Sequence, residues 1–371
     1  MSTSQTSMLS GKTILVTGAC GTVGSELVRL LLDHRDYEPA EVIGVDNDES
    51  GLFFVDQTYV SDPRAQFVVA DIRDKEKIVR MMRGVDIVFH TAALKHVVLC
   101  ERSPFEAVQT NIHGVRNIVQ AAVEAGVERV IFTSSDKAVN PTNVMGTSKL
   151  MGERLITAAN SNLRGAGPIC ASTRFGNVLG SNGSVVPIFH KQIAQGGPIT
   201  LTDPEMTRFV MSTEEAVRLV IDSASIALGG EVFVTKMPVV RIEDLAKAMI
   251  GELAGVYGHD PKDIAIETIG TKPGEKLYEE LMSDEETRRS IELERYFAVM
   301  PAFRGLYNQI NYNYEGTVST EVTNPYNSSD EPILSIAEIA AFLRDNGLLS
   351  RLADIEHAPD QRYWPGDKEE S

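Results

Sequence analysis

The run Ser134-Ser135-Asp136-Lys137 follows the apolar segment Arg129 to Phe132 and sets two hydroxyls, a carboxylate and an ammonium side by side. Such a cluster at a strand end can move protons. A carboxyl group and an amine act as general acid and general base once burial and neighbouring charges tune them. A second lysine, Lys149, lies on the helix expected from about 144 to 159. Four residues before it stands Met145, whose thioether has no titratable proton, on the same helix face. Ser135 alone is weak evidence, because a serine at a strand end is more often a cap. The three charged groups together carry the reading.

A second chemistry is written near the start. Gly18-Ala19-Cys20-Gly21-Thr22-Val23-Gly24 joins an apolar run to an amphipathic one. Glycines there permit a tight turn and bring backbone N–H groups to a pyrophosphate at a helix N-terminus. The strand-then-helix setting is what raises this pattern above a chance match. Asp46 ends the next apolar run, where a carboxylate hydrogen-bonds ribose hydroxyls and repels a 2′-phosphate. Asn47, Asp48 and Glu49 follow and bring no arginine, so NAD is favoured over NADP. Asp71 and Ile72, after the third apolar run, are placed to reach the adenine end, and Ala92, after the fourth, is counted with the same cofactor set.

These groups need a scaffold. Strands are expected at Lys12 to Thr17, Glu41 to Asp46, Gln66 to Ala70, Val85 to His90, Arg129 to Thr133 and Cys170 to Phe175. Helices are expected at Gly24 to Asp33, Pro104 to Ala125 and Val144 to Ala159. Near-continuous apolar strands alternating with helices imply an α/β fold, a doubly wound parallel sheet whose ligands gather at the strand carboxyl ends. Later segments read as the helix Glu214 to Leu228, the strand Glu231 to Val234, and helices at Pro238 to Glu252 and Lys276 to Ser283. The expected division is a Rossmann domain of 11–175 and 213–237, a smaller substrate domain of 176–212 and 238–345, and a loose tail over 346–371.

Composition bounds the class. The chain has 371 residues, 43% of them hydrophobic, and a net charge of −17. That charge repels nucleic acid and anionic membranes. Cys20, Cys100 and Cys170 are widely spaced and form no CxxC pair, so no metal site or disulfide framework is expected. A polar N-terminus and the lack of a long apolar run point to a cytoplasmic protein with no membrane segment.

The fold pattern with Ser135 and Lys149 resembles the extended short-chain dehydrogenase/reductases over roughly residues 11 to 345. Four strings sharpen it: Ala92 to Val97, Asp136 to Asn143, Arg174 to Ser181 and Pro273 to Lys276. They resemble the polysaccharide-biosynthesis branch, which includes UDP-N-acetylglucosamine 4,6-dehydratases. In that superfamily a tyrosine usually stands at the place of Met145. The resemblance implies a tightly bound, recycled NAD. Hydride leaves sugar C4, water is lost across C5 and C6, and the hydride returns to C6. Hydroxide is a poor leaving group, so the C6 oxygen needs an acid, and Asp136 is the candidate if burial raises its pKa. Lys137 stands where dTDP-glucose dehydratases carry a glutamate. It serves as the C5 base if neighbouring cations and desolvation lower its pKa. Ser135 is placed to bond the C4 oxygen, and Lys149 also holds the nicotinamide ribose. Without a tyrosine, the C4 hydroxyl proton leaves through Lys149, through a ribose hydroxyl, or to Asp136 through water.

The resemblance also assigns the substrate side. Lys95 and His96 face the cleft after the fourth strand, while His90 reads as buried structure. Asn177 contacts the diphosphate, Arg174 orients it, and Arg208 is a second phosphate clamp suited to bidentate contacts. Val186 and Thr200 help to wall a flat uracil. Lys272 and Glu275 lie in a turn opening a helix, with Glu275 placed to grip ribose hydroxyls or to cap that helix. The expected partners are a UDP-sugar and further copies of the chain, in a homodimer or higher oligomer pairing through the helices at about 104–125 and 144–159. A C4 or C5 epimerase and a non-catalytic NAD-binding regulator are the competing readings.

Overall fold

The computed structural model describes residues 8–161, 167–181, 184–270, 274–303 and 310–349. The chain divides into two compact units. Met1–Gly176, Glu214–Met237 and Glu279–Asn327 belong to the first; Asn177–Thr213, Pro238–Tyr278 and the chain from Ser328 onward belong to the second.

The first unit is built on one sheet. Its strands are β1 (Thr13–Thr17), β2 (Glu41–Asp46), β3 (Ala65–Val69), β4 (Ile87–His90), β5 (Arg129–Ser135), β6 (Ile169–Phe175), β7 (Val232–Thr235), β8 (Ser290–Leu293), β9 (Tyr296–Val299) and β10 (Thr317–Ser319). Among the described residues their order is β10-β8-β9-β7-β6-β5-β4-β1-β2-β3. From β3 to β7 every neighbouring pair is parallel. The order reverses between β1 and β4, the switch point where a doubly wound sheet opens a crevice. Helices cover both faces, so all four residues of β4 are buried. Leu15, Val45, Val88, Val130 and Phe132 pack against Ile118, Ala121 and Ala122 of the Val115–Ala125 helix and Ile156 of the Val144–Ser161 helix. Each such side chain contributes about 1.5–3 kcal/mol through burial.

Several elements differ from expectation. The stretch 104–125 is helical throughout, but Val108–Gly114 is a π-helical segment between α-helices Pro104–Ala107 and Val115–Ala125. Residues 279–327 join the first unit, where β8–β10 extend the sheet with antiparallel pairings. The helix expected at 276–283 is absent. Glu280–Met282 is a strand paired with Tyr326–Asn327, and a capping box on Ser283 starts the short Asp284–Thr287 helix after it.

The second unit packs the helices Val185–Ala194, Ile242–Leu253 and Ile336–Asp345 around Phe189, Leu245, Met249, Ile339 and Leu343. The first of these helices lies inside the stretch 176–198, which is rich in Gly, Ser and Asn. Leu348 is buried in the same core, so the chain is packed beyond 345. The rest of the expected tail, from 350, and Lys272 lie outside the described residues. No described helix is long and apolar enough to cross a membrane.

Candidate active site

At the carboxyl ends of β1 to β4 lies a cleft of about 630 Å³ within the first unit. Gly18, Gly21, Asp46, Asp71, Ile72 and Ala92, assigned to a cofactor from the sequence, line it. Gly18 adopts φ +74°, and a Cβ there would stand 2.7 Å from the Ala92 backbone nitrogen. Only glycine allows β1 and β4 to end that close together. Gly21 is the N-cap of the Thr22–Asp33 helix and provides no side-chain cap. The opening amides of Thr22, Val23 and Gly24 therefore sit in the helix-start position suited to an anion. The Asp46 carboxylate accepts N–H bonds from Cys20 (2.9 Å), Asn47 (2.8 Å) and Asp48 (3.1 Å), which fix it at the rim. Arg73, not singled out from the sequence, also lines the cleft. It grips Asp71 at 2.6 Å and reaches Glu106 at 2.9 Å. Its hydrogen bonds hold the Asp71 carboxyl below the usual carboxylate range. These features fit a dinucleotide: a backbone cradle that a side chain would fill, a helix start and an anchored carboxylate.

Ser135 ends β5 and Asp136–Ala138 forms a 3-10 turn. Asp136 is 1% exposed. Its Oδ1 accepts from Ser135 Oγ (2.6 Å), the Lys137 amide (2.9 Å) and Lys137 Nζ (3.1 Å). Lys137 Nζ also lies 3.6 Å from Oε1 of buried Glu279. Among the described residues, the carboxylates of Asp136 and Glu279 form ion pairs with Lys137. The Val144–Ser161 helix approaches this turn closely, for a Cβ on Gly146 would stand 2.1 Å from the Lys137 carbonyl oxygen.

Lys149 is buried, donates to the Thr133 carbonyl at 2.9 Å and lies over the Phe132 ring at 4.7 Å. Burial pushes its ammonium down to about 8, against the pull of Glu153. His90 is buried, with Nδ1 2.7 Å from Thr17 Oγ1. Burial, aided by Lys149, pushes it down to about 3, so it is neutral at working pH. Asn111, in the π-helical segment, was not singled out either. It accepts from the Leu94 amide, and donates to the Leu94 carbonyl and Ser148 Oγ. It thereby ties the loop after β4 to the helix that carries Lys149. Gln109, Thr110, His113 and Asn117 stand around it, so nothing in the sequence marked this polar residue out.

Other assignments change. Met145 is buried against Cys100 and Ala107, with Val97 and Val144 around them. It belongs to the packing of its helix and not to the proton chemistry. Arg174 is 1% exposed. Its guanidinium donates to Glu153 (2.9 and 2.7 Å), Glu286 (3.0 and 3.1 Å) and the Leu281 carbonyl (2.8 Å). It is a core ion-pair centre, not a diphosphate contact. Lys95 and His96 are exposed in the loop after β4, and His96 is the N-cap of the Val97–Arg102 helix. Asn177, Val186, Thr200, Arg208 and Glu275 belong to the second unit. Val186 lies in that unit's apolar core, which removes it as a uracil wall. Arg208 is buried and donates to the carbonyls of Thr207, Lys276 and Leu277, so these bonds go to the chain itself. Thr200 exchanges hydrogen bonds with Gln192. Glu275 accepts from Thr202, and no helix opens after it.

Residues 14–301 match the model of a family described as polysaccharide biosynthesis protein. The chain belongs to this family. An uncharacterized membrane protein of Methanocaldococcus jannaschii is 45% identical over 334 residues, covering 90% of this chain and 96% of that one. The inverting UDP-N-acetylglucosamine 4,6-dehydratase of Campylobacter jejuni is 39% identical over 298 residues, 80% of this chain and 85% of that one. A UDP-glucose 4-epimerase of Rickettsia akari is 37% identical over 337 residues, 91% and 96%. The X-ray structure of Pen from Bacillus thuringiensis shares the fold with a TM-score of 0.82 at 36% identity, over 91% of this chain and 98% of that one. The chain thus has the extended short-chain dehydrogenase/reductase fold and stands among nucleotide-sugar dehydratases and epimerases.

Proposed function

We propose that the protein is a nucleotide-sugar 4,6-dehydratase that uses a recycled NAD and acts on UDP-N-acetylglucosamine. The observation that carries this reading is the ion pair between buried Asp136 and part-buried Lys137. C4 epimerisation needs no acid at C6 and no base at C5. Elimination across C5 and C6 needs both. One proton moved along the 3.1 Å contact from Lys137 to Asp136 converts the ion pair into an acid and an amine.

The residues of the cleft (Gly18, Gly21, Asp46 and Asp71) hold the dinucleotide, and the chemistry a bound NAD supplies is hydride acceptance and return. Ser135 orients the C4 oxygen. Lys149, whose ammonium titrates near 8, receives the C4 hydroxyl proton. With the C4 ketone formed, the Lys137 amine takes the C5 proton while the Asp136 carboxyl protonates the departing C6 oxygen. Lys137 then returns a proton to C5, and the proton released at C4 resets Asp136. Protons balance: the one lost from the C4 hydroxyl equals the one that leaves in water. Lys95 and His96, exposed in the loop after β4, are the proposed substrate contacts of the first unit. The reading includes a homo-oligomer, with the helices bearing the exposed Phe105 and Met151 as the pairing faces.

The similarity to a UDP-glucose 4-epimerase favours a second reading, inversion at C4. Incubation with NAD and UDP-N-acetylglucosamine followed by mass spectrometry separates the two. Dehydration gives a product lighter by one water molecule; epimerisation gives an isomer of unchanged mass.

A further inference from the structure

Glu279 has no role in the sequence reading, yet it is only 4% exposed and faces the proposed acid–base pair. A buried carboxylate is costly unless a cation compensates it, and Lys137 Nζ, 3.6 Å away, does so. Lys137 thereby sits between two buried carboxylates supplied by distant parts of the chain. The next residue, Glu280, accepts from Asn140 Nδ2 at 3.3 and 3.2 Å. Asn140 adopts φ +43°, in the left-handed region that asparagine enters more readily than most non-glycine residues. Residues 279–280 therefore grip the 136–140 turn at two points. The strand Glu280–Met282 that follows is anchored by its pairing with Tyr326–Asn327 and by the Leu281 carbonyl on Arg174.

We propose that Glu279 is a positioning residue for the Asp136–Lys137 pair: its carboxylate holds Lys137 Nζ beside Asp136 and keeps the proton on the amine until substrate arrives. The inference rests on the dehydratase reading for its catalytic consequence, but its electrostatic content stands apart. Asp136 from the same turn and Glu279 from the segment ahead of the 280–282 strand both face Lys137, and Ser135 Oγ donates to Asp136. Glu279→Gln keeps the shape and removes one anion, so the neutral amine of Lys137 becomes easier to form.

The test compares wild type with Glu279→Gln and Glu279→Asp. The Gln variant is expected to melt within a few degrees of wild type and to keep KM within about twofold. Its kcat falls roughly tenfold to a hundredfold, no more than the low end of one acid–base contribution, and the kcat profile moves toward lower pH. The Asp variant recovers part of kcat. A Gln variant with wild-type kcat and an unmoved profile overturns the proposal. A second readout needs no turnover: acylation of Lys137 by an amine reagent, followed by peptide mass spectrometry. It is expected to run faster in Glu279→Gln than in wild type at mildly alkaline pH, and equal rates overturn the proposal. If acylation differs while wild type dehydrates no UDP-sugar, the dehydratase reading fails and the role of Glu279 stands.

Discussion

Lys149 shows how burial turns an ordinary side chain into a proton acceptor. Its environment brings the ammonium down to about 8, so a substantial fraction is neutral under mildly alkaline conditions. C4 oxidation is therefore expected to rise with pH through a midpoint near that value. Lys149→Arg, which stays charged, is expected to lose C4 oxidation, as followed by reduced-nicotinamide absorbance in single turnover; an active Arg variant excludes Lys149 as the acceptor. Linkage gives a matching stability signature. Between about 8 and 10.5 the unfolded chain still holds a proton that folded Lys149 has released, so stability gains from rising pH across that window. Lys149→Met should flatten that gain in denaturant titrations. Asp136, Lys137 and Lys149 were legible in the sequence because they lie close together after one strand. The packing role of Met145 was not, because Cys100 and Ala107 come from other helices and are brought to it only by folding. Glu279 was hidden for the same reason.

At the scale of elements, the strand-end turn and the helix after it are held together by what is missing from Gly146. A methyl group there would meet the Lys137 carbonyl at 2.1 Å. Gly146→Ala is expected to push the helix off the turn, lower stability by about 1–3 kcal/mol and cut activity; thermal melting together with turnover checks this. Arg174 makes the opposite kind of case. The motif around it led to a substrate role, but its neighbours Glu153 and Glu286 make it the link between β6, the Val144–Ser161 helix and the Asp284–Thr287 helix. Removing it leaves two buried carboxylates, and Arg174→Ala is expected to cost about 3–5 kcal/mol in chemical denaturation. A phosphate ligand would instead raise KM and leave stability untouched. Glu286 carries the acid side of this network: despite burial, Arg174 holds its carboxyl at about 2. Its contribution is complete above about 4.5 and is lost as pH falls toward 2.

For the whole molecule, the parallel strands inside the sheet were readable because burial on both faces leaves nearly unbroken apolar runs; the edge strand Ala65–Val69 was readable from its short apolar run although it is not buried. The antiparallel extension, β8–β10, was not. Its strands are three or four residues long, and nothing local says which sheet edge they join. The contributions of the second unit were only partly legible, since Val186 and Arg208 were placed by motif while their partners were unknown. Surface chemistry gives a further expectation at this scale. Phe105 is 82% exposed on the Pro104–Ala107 helix, so Phe105→Glu should weaken self-association in sedimentation if the helices pair as proposed. The central claim is that Asp136 and Lys137 perform an elimination at C5 and C6, and the product formed from UDP-N-acetylglucosamine in deuterated water tests it most directly. A sugar lighter by one water and carrying solvent deuterium at C5, delivered by Lys137 during turnover, is the expected product. A product of unchanged heavy-atom composition, or a dehydrated product without deuterium at C5, would contradict it.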